Sequence, residues 1–216
     1  TSTAFAGTFD WSDLSSDANI HLLNTVLVSG ILALGGTSEF ALRLPNIVAF
    51  VFYIWATADL GRHLKRDRAL VQFALLATCP FILDFFSLAR GYGLGLGMML
   101  AGLACAVRSF SSPRSSWIAL SVLLGMAGVL ASYPMLNVFL PMTLLLLVKE
   151  AVGTPGKSTG WIRSFALLVP IALFLFFVLR ILFELKDGGQ LYFGGRDGLW
   201  QDTVVSLGRC IGYHAA

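Results

Sequence analysis

The side chains in this chain that can do chemistry are few and are set in apolar sequence. Asp84 and Arg90 bracket one end of an apolar stretch. An ionisable group at such a place is costly to desolvate, which makes it a functional candidate by default. A guanidinium there would hold an anionic oxygen, and a carboxylate would accept a proton. Six residues apart on a regular helix, the two do not share a face. A break at Gly91 would let both face one cavity. Glu39 and Arg43 stand at i, i+4, as do Arg180 and Glu184, so each can also simply pair. For all of these the structural alternative is a snorkelling or paired interfacial charge.

Other patterns invite a reading and fail it. Gly153-Thr154-Pro155-Gly156-Lys157-Ser158 looks like a phosphate loop, but Ala151 occupies the position of the required first glycine and no strand precedes it. Gly91, Gly93, Gly95 and Gly97 lack the dinucleotide spacing, because Leu96 stands where the third glycine belongs. Gly93, Gly97, Ala101 and Cys105 instead repeat small residues every four positions, the pattern of a close helix-packing face in lipid. His21, His63 and His214 are scattered, with no zinc-like spacing, so neither a metal nor another cofactor is implied. Ser29, Ser87 and Ser132 lack the His-and-acid context of a nucleophile. Cys79, Cys105 and Cys210 form no ligand spacing and no disulfide framework.

The elements that must position these residues follow from composition. Of 216 residues, 56% are hydrophobic and 12% charged, about half the roughly 25% charge of a soluble domain. Mean hydropathy is +0.78. A 23.3 kDa globule cannot hide that much apolar surface from water. This excludes an ordinary soluble enzyme, a disordered tail and a nucleic-acid-binding domain; net charge is only +3. The expected partner is the lipid bilayer, and the expected class is an all-α membrane protein. Apolar runs near the ~20 residues of a span are 44–60, 69–89, 92–107, two within the uncharged stretch 115–148, and 164–183. Ser132-Tyr133-Pro134 divides the uncharged stretch into a hairpin of two. Continuous rather than alternating apolar runs disfavour a barrel. Six spans are expected.

Nine of the 15 basic residues fall in the loops 61–68, 108–114 and 149–163, which share one side if six spans alternate. The positive-inside rule makes that side cytoplasmic in a plasma or inner membrane, and both chain ends external. Residues 20–36 are apolar but carry His21, Asn24, Thr25 and Ser29. If they crossed, a leading segment with Asp10, Asp13 and Asp17 and no Lys or Arg would become cytoplasmic. The rule therefore favours a helix lying in the outer interface. Three regions result: an external loop and interfacial helix over 1–42, a transmembrane bundle over 43–183, and a glycine-rich external segment over 184–216. The first residue is Thr1, and the chain is expected to be part of a longer protein.

Three features together resemble polytopic glycosyltransferases of the GT-C fold, the group that includes protein mannosyltransferases and aminoarabinose transferases. One is Asn19-Ile20-His21-Leu22-Leu23-Asn24 followed by Gly36-Thr37-Ser38-Glu39-Phe40-Ala41-Leu42-Arg43-Leu44-Pro45. The second is Pro80 followed by Ala89-Arg90-Gly91-Tyr92, similar to the family's Ala-Arg-x-Tyr. The third is the layout of basic inner loops and short outer turns. The likeness covers about residues 15 to 110. It implies transfer of a sugar from a polyprenyl-phosphate donor to an acceptor hydroxyl at the outer face. The family's essential Asp would precede Thr1 by the usual spacing, together with a first span. Asp10, Asp13 and Asp17 remain as catalytic candidates in the external loop. A fixed guanidinium would stabilise the leaving lipid phosphate, a role that falls to Arg90. Tyr92, His21, Asn24, Arg43 and Asp84 complete the substrate-binding candidates. The competing readings are a polytopic transporter or channel subunit and a non-catalytic membrane scaffold. Transporters carry broken helices and midplane charges in two related halves, whereas here the charges sit at span ends.

Overall fold

A computed structural model of the chain describes residues 21–87, 91–112, 115–152 and 159–187. Its elements are all helical: α1 Leu22–Ala33, α2 Glu39–Gly61, α3 Arg66–Thr78, α4 Pro80–Ser87, α5 Gly91–Ser111, α6 Ser115–Ala131, a 3-10 turn Tyr133–Met135, α7 Leu136–Val152 and α8 Thr159–Asp187. Helix is what lipid demands, since each turn satisfies its own backbone groups. Ile20–Phe176 forms one compact unit; of a second unit only 177–187, the last turns of α8, is described.

Four helices among the described residues are long and apolar enough to cross a bilayer: α2, α5, the turn with α7, and most of α8. A fifth crossing exists if α3 and α4 count as one broken span. The described residues are thus all-helical, with four to five candidate spans where six are expected. Two physical reasons account for the difference. The expected helix over 69–89 bends by 48° between α3 and α4. Pro80 supplies no N–H, and it forces Cys79 out of helical geometry to φ −64°, ψ 112°. And α6, at 17 residues, reaches about 25 Å, below the ~30 Å of a hydrocarbon core.

The ambiguous segment 20–36 becomes the 12-residue α1, about 18 Å long and too short to span. Its stop is local chemistry. Gly35 adopts φ +84°, the Gly35 N–H bonds to Leu32 O, and the Gly36 N–H bonds to Ile31 O, each at 2.9 Å. This double closure satisfies the last carbonyls, and a side chain at Gly35 would strain it. Three residues on, the Ser38 hydroxyl accepts the Ala41 N–H at 3.2 Å and starts α2.

α5 is the centre of the unit. Its most apolar stretch is 61% buried, against 17–28% in the other three candidate spans. Glycine makes that possible on two faces. A Cβ at Gly97 would collide with the Ala49 backbone carbonyl on α2, and one at Gly93 would lie 2.5 Å from Phe85 O on α4. On the α6 side, a Cβ at Gly102 would lie 3.0 Å from Ser121 O, and one at Gly95 would lie 2.8 Å from the Ser132 Cβ. Ala101 and Cys105 are fully buried. The small-residue repeat of α5 is therefore a packing face, with Gly95 and Gly102 making a second one.

These pairings set directions. Gly93 meets Asn46, Gly97 meets Ala49 and Arg108 meets Asp59, so α2 and α5 run parallel. Gly91 meets Ala131 while Gly102 meets Ser121, so α6 runs antiparallel to α5. The C-terminal ends of α2, α5 and α7 therefore gather at one end of the unit. There the Arg108 guanidinium donates through Nε to Asp59 Oδ2 at 2.6 Å and through Nη2 to Oδ1. Arg62 stands 3.6 Å from the same carboxylate, whose side chain is only 5% exposed. The Trp55 and Trp117 rings cover the guanidinium at 5.3 and 4.9 Å. The Lys149 ammonium donates to Ser109 O and lies 5.1 Å from the Phe110 ring. A part-buried bidentate pair, its guanidinium over two indoles, ties α2, α5 and α6 together.

Two outcomes follow for thermal stability in mild detergent. Gly97→Ala is expected to lower it by about 1–3 kcal/mol through overpacking, while Gly30→Ala, with open space around it, leaves it unchanged or slightly raised. Equal behaviour of the two variants would refute the close contact of α5 with α2. Asp59→Asn is expected to cost about 1–3 kcal/mol, because it takes the charged partner from a guanidinium that is only partly exposed. Stability unchanged in that variant would refute the clamp.

Candidate functional site

At the end of the unit opposite that clamp, the start of α5 meets α1 and the turn after α6. His21 is the cap residue of α1, but its ring makes no cap bond. Instead Nδ1 lies 2.8 Å from Ala131 O, the last carbonyl region of α6. A carbonyl only accepts, so Nδ1 carries the proton, and in the neutral ring the lone pair is on Nε2. The Tyr92 ring meets the His21 ring edge-on, with centroids 4.4 Å apart, and Phe85 backs Tyr92 at 5.6 Å. Gly91 sits where the three elements cross: a Cβ there would collide with both Ala131 O and the His21 side chain. The residue type at 91 is thus dictated by two close approaches at once.

Polar groups collect around this crossing. Asn24 lies one turn into α1 and is 8% exposed; Asn46 on α2 is fully buried, beside Gly93. Ser132 packs over Gly95 at 2% exposure. The Ser132 hydroxyl and the Tyr133 hydroxyl are buried oxygens with no hydrogen-bond partner among the described residues. A buried hydroxyl left so is unfavourable, which makes both natural contacts for a bound polar group. The first N–H groups of α5 also lack intrahelical partners, and the helix dipole puts partial positive charge there. Such an end favours an anion.

Of the site residues expected from sequence, His21 and Tyr92 are brought into contact, with Asn24 one turn beyond. Arg43 is held by Glu39 on the exposed start of α2. Asp84 is exposed on α4 and forms no ion pair among the described residues; its carbonyl accepts the Ser87 hydroxyl at 2.9 Å. Arg90, Asp10, Asp13 and Asp17 lie outside the described residues, although Arg90 is bonded directly to Gly91. Asn46, Ser132 and Tyr133 were not picked out from sequence as site residues. The usable signal is a polar residue inside an apolar run; in sequence Ser132-Tyr133-Pro134 reads as a turn, and Ser132 lacks the context of a nucleophile. No three His, Cys, Asp or Glu side chains among the described residues are grouped to hold a metal ion.

No family model, curated protein or solved structure matches this chain. Part of the sequence that carries the glycosyltransferase likeness has local duties in the fold. Gly36 closes α1, Ser38 caps α2, and Glu39 pairs with Arg43. His21, Gly91 and Tyr92 differ in that their contacts join separate elements.

Gly91→Val is expected to push His21 off the Ala131 carbonyl and loosen α1. Hydrogen exchange should then quicken in the α1 amides relative to the wild type, with His21→Ala shifting them in the same direction. Exchange in α1 that is unchanged in both variants would show that the crossing does not hold the helix.

Proposed function

We propose that this chain is the membrane-embedded part of a glycosyltransferase that moves a sugar from a polyprenyl-phosphate donor to an acceptor hydroxyl at the outer face. The observation that carries the reading is the crossing at Gly91. The positive end of α5 and the His21–Tyr92 ring pair meet there, the buried Ser132 hydroxyl, with no hydrogen-bond partner among the described residues, packs one turn along α5 at Gly95, and Arg90 precedes Gly91 by one bond. That is a donor set suited to a phosphate ester and a sugar ring.

In this reading the acceptor oxygen forms a bond to the anomeric carbon as the bond from that carbon to the phosphate oxygen breaks. The electron pair stays on the lipid phosphate, where the Arg90 guanidinium and the start of α5 offset it. The acceptor proton goes to a carboxylate: Asp10, Asp13, Asp17 or one outside this sequence. Tyr92, braced edge-on by His21, stacks on the sugar or donates its hydroxyl to the phosphate. The gathered basic ends of α2, α5 and α7 face the cytoplasm, α6 completes six crossings as a short span, and α1 lies in the outer interface. A second reading, a non-catalytic scaffold, draws on the engagement of the His21 ring with a backbone carbonyl, a bond that serves packing alone.

Arg90→Ala is expected to lower transfer by about 100-fold or more with expression intact, and Arg90→Lys to restore part of it. Normal turnover in Arg90→Ala would remove the residue from the site and favour the scaffold. For orientation, Ser112→Cys should be shielded from impermeant thiol reagents added outside intact cells. Labelling from outside would invert the assignment.

A further inference from the structure

The basic end of the unit carries a feature that neither the clamp nor sugar transfer uses. Arg66 and Arg68 stand in the first turn of α3, where the helix dipole disfavours cations, and Lys65 at the cap position makes no cap bond. Asp67 is the one acid in that turn. No ion pair to Lys65, Arg66 or Arg68 forms among the described residues. The positive charge is thus kept where the helix itself opposes it, and an external anion would relieve the conflict.

Next to that charge lies a cleft of about 230 Å³ between α2 and α3. Arg66 stands at its head, Thr57 adds one polar residue, and the rest of the lining, including Ala58, Ala69, Leu70 and Phe73, is apolar. Gly61 adds no side chain to the cleft; a Cβ there would lie 3.5 Å from the Ala69 Cβ and take up part of it. α3 buries none of its residues, Leu70 is 62% exposed and Ala58 is also exposed, so the cleft opens sideways towards lipid. The volume is below the roughly 300–1,000 Å³ of pockets for compact ligands, but a narrow apolar slot suits one acyl chain.

We infer that this cleft is a binding site for an anionic phospholipid, its phosphate on Arg66 and one acyl chain along Ala58, Ala69 and Phe73. Charge complementarity selects the headgroup. A net-negative lipid meets Lys65, Arg66 and Arg68, whereas a zwitterionic choline headgroup brings its own cation to them. The site is independent of the proposed glycosyl transfer and of which compartment the basic end faces.

Native mass spectrometry of the protein released from neutral detergent tests it, with dioleoyl phosphatidylglycerol and dioleoyl phosphatidylcholine titrated at equal concentration. Phosphatidylglycerol adducts should exceed phosphatidylcholine adducts in the wild type. Arg66→Gln should lower the phosphatidylglycerol adduct about fivefold, and Arg66→Lys should retain most of it. Ala58→Phe, which fills the slot from its exposed wall, should lower binding of both lipids. If that variant does not fold, the exposed Arg66→Gln alone decides. Arg180→Gln, the loss of one cation on α8, should leave the preference intact. Equal binding of the two lipids, an unchanged Arg66→Gln, an equal loss in Arg180→Gln, or displacement of the lipid by glycerol 3-phosphate at the same concentration would each overturn the site.

Discussion

The close approach of α5 to α2 on one side and to α6 on the other is the contact from which the rest of the unit follows. Between helices in lipid there is little hydrophobic drive, because the surroundings are as apolar as the side chains. Association then depends on dispersion at short range, and short range requires the removal of side-chain bulk. Gly93 and Gly97 remove it towards α4 and α2, and Gly95 and Gly102 remove it towards the α6 side. Because backbone meets backbone at these points, the register cannot slide by a turn without collision. Helix direction and relative height are therefore decided at α5.

That register gives the two ends different chemistry. At one end, Asp59 and Arg108 arrive at the same height, with the guanidinium over two indoles, so the charges in the last turns of α2 and α5 are engaged with each other. At the other, the same register brings Gly91 under His21 and Ala131, and the nearby Ser132 hydroxyl has no hydrogen-bond partner among the described residues. A paired, covered charge stabilises an assembly but offers nothing to a ligand. The polar crossing leaves the Ser132 and Tyr133 hydroxyls without a partner among the described residues, and the proposed function is placed at the His21 end for that reason despite the stronger charges at the other.

Much of this architecture was legible in the sequence, for reasons that can be located. Apolar length identified helices, and the small-residue repeat Gly93, Gly97, Ala101, Cys105 identified a packing face, because both properties are local to one segment. The turn at Ser132-Tyr133-Pro134 was legible for the same reason. The bend at Cys79 was also written locally, in the restriction that Pro80 places on its predecessor, but a window of average hydropathy passes over it. The expected count of six includes α6, whose 17 residues against 23 in α2 leave it outside the four to five candidate spans among the described residues. At the site, Tyr92 and His21 were legible as a pair of candidates, whereas Asn46, Ser132 and Tyr133 looked like ordinary members of apolar or turn sequence.

The sequence by itself determined that this chain belongs in a bilayer, that it is helical, and where most helices begin and end. Those properties depend on composition and on neighbours within a few residues, such as Ser38 before α2 or Gly35 after α1. Only the tertiary structure decided that Asp59 belongs to Arg108, 49 residues away, and that His21 reaches the carbonyl of Ala131, 110 residues away. No local pattern encodes such pairings. They are set by which glycine faces which backbone, and that is a property of two helices in contact rather than of either one.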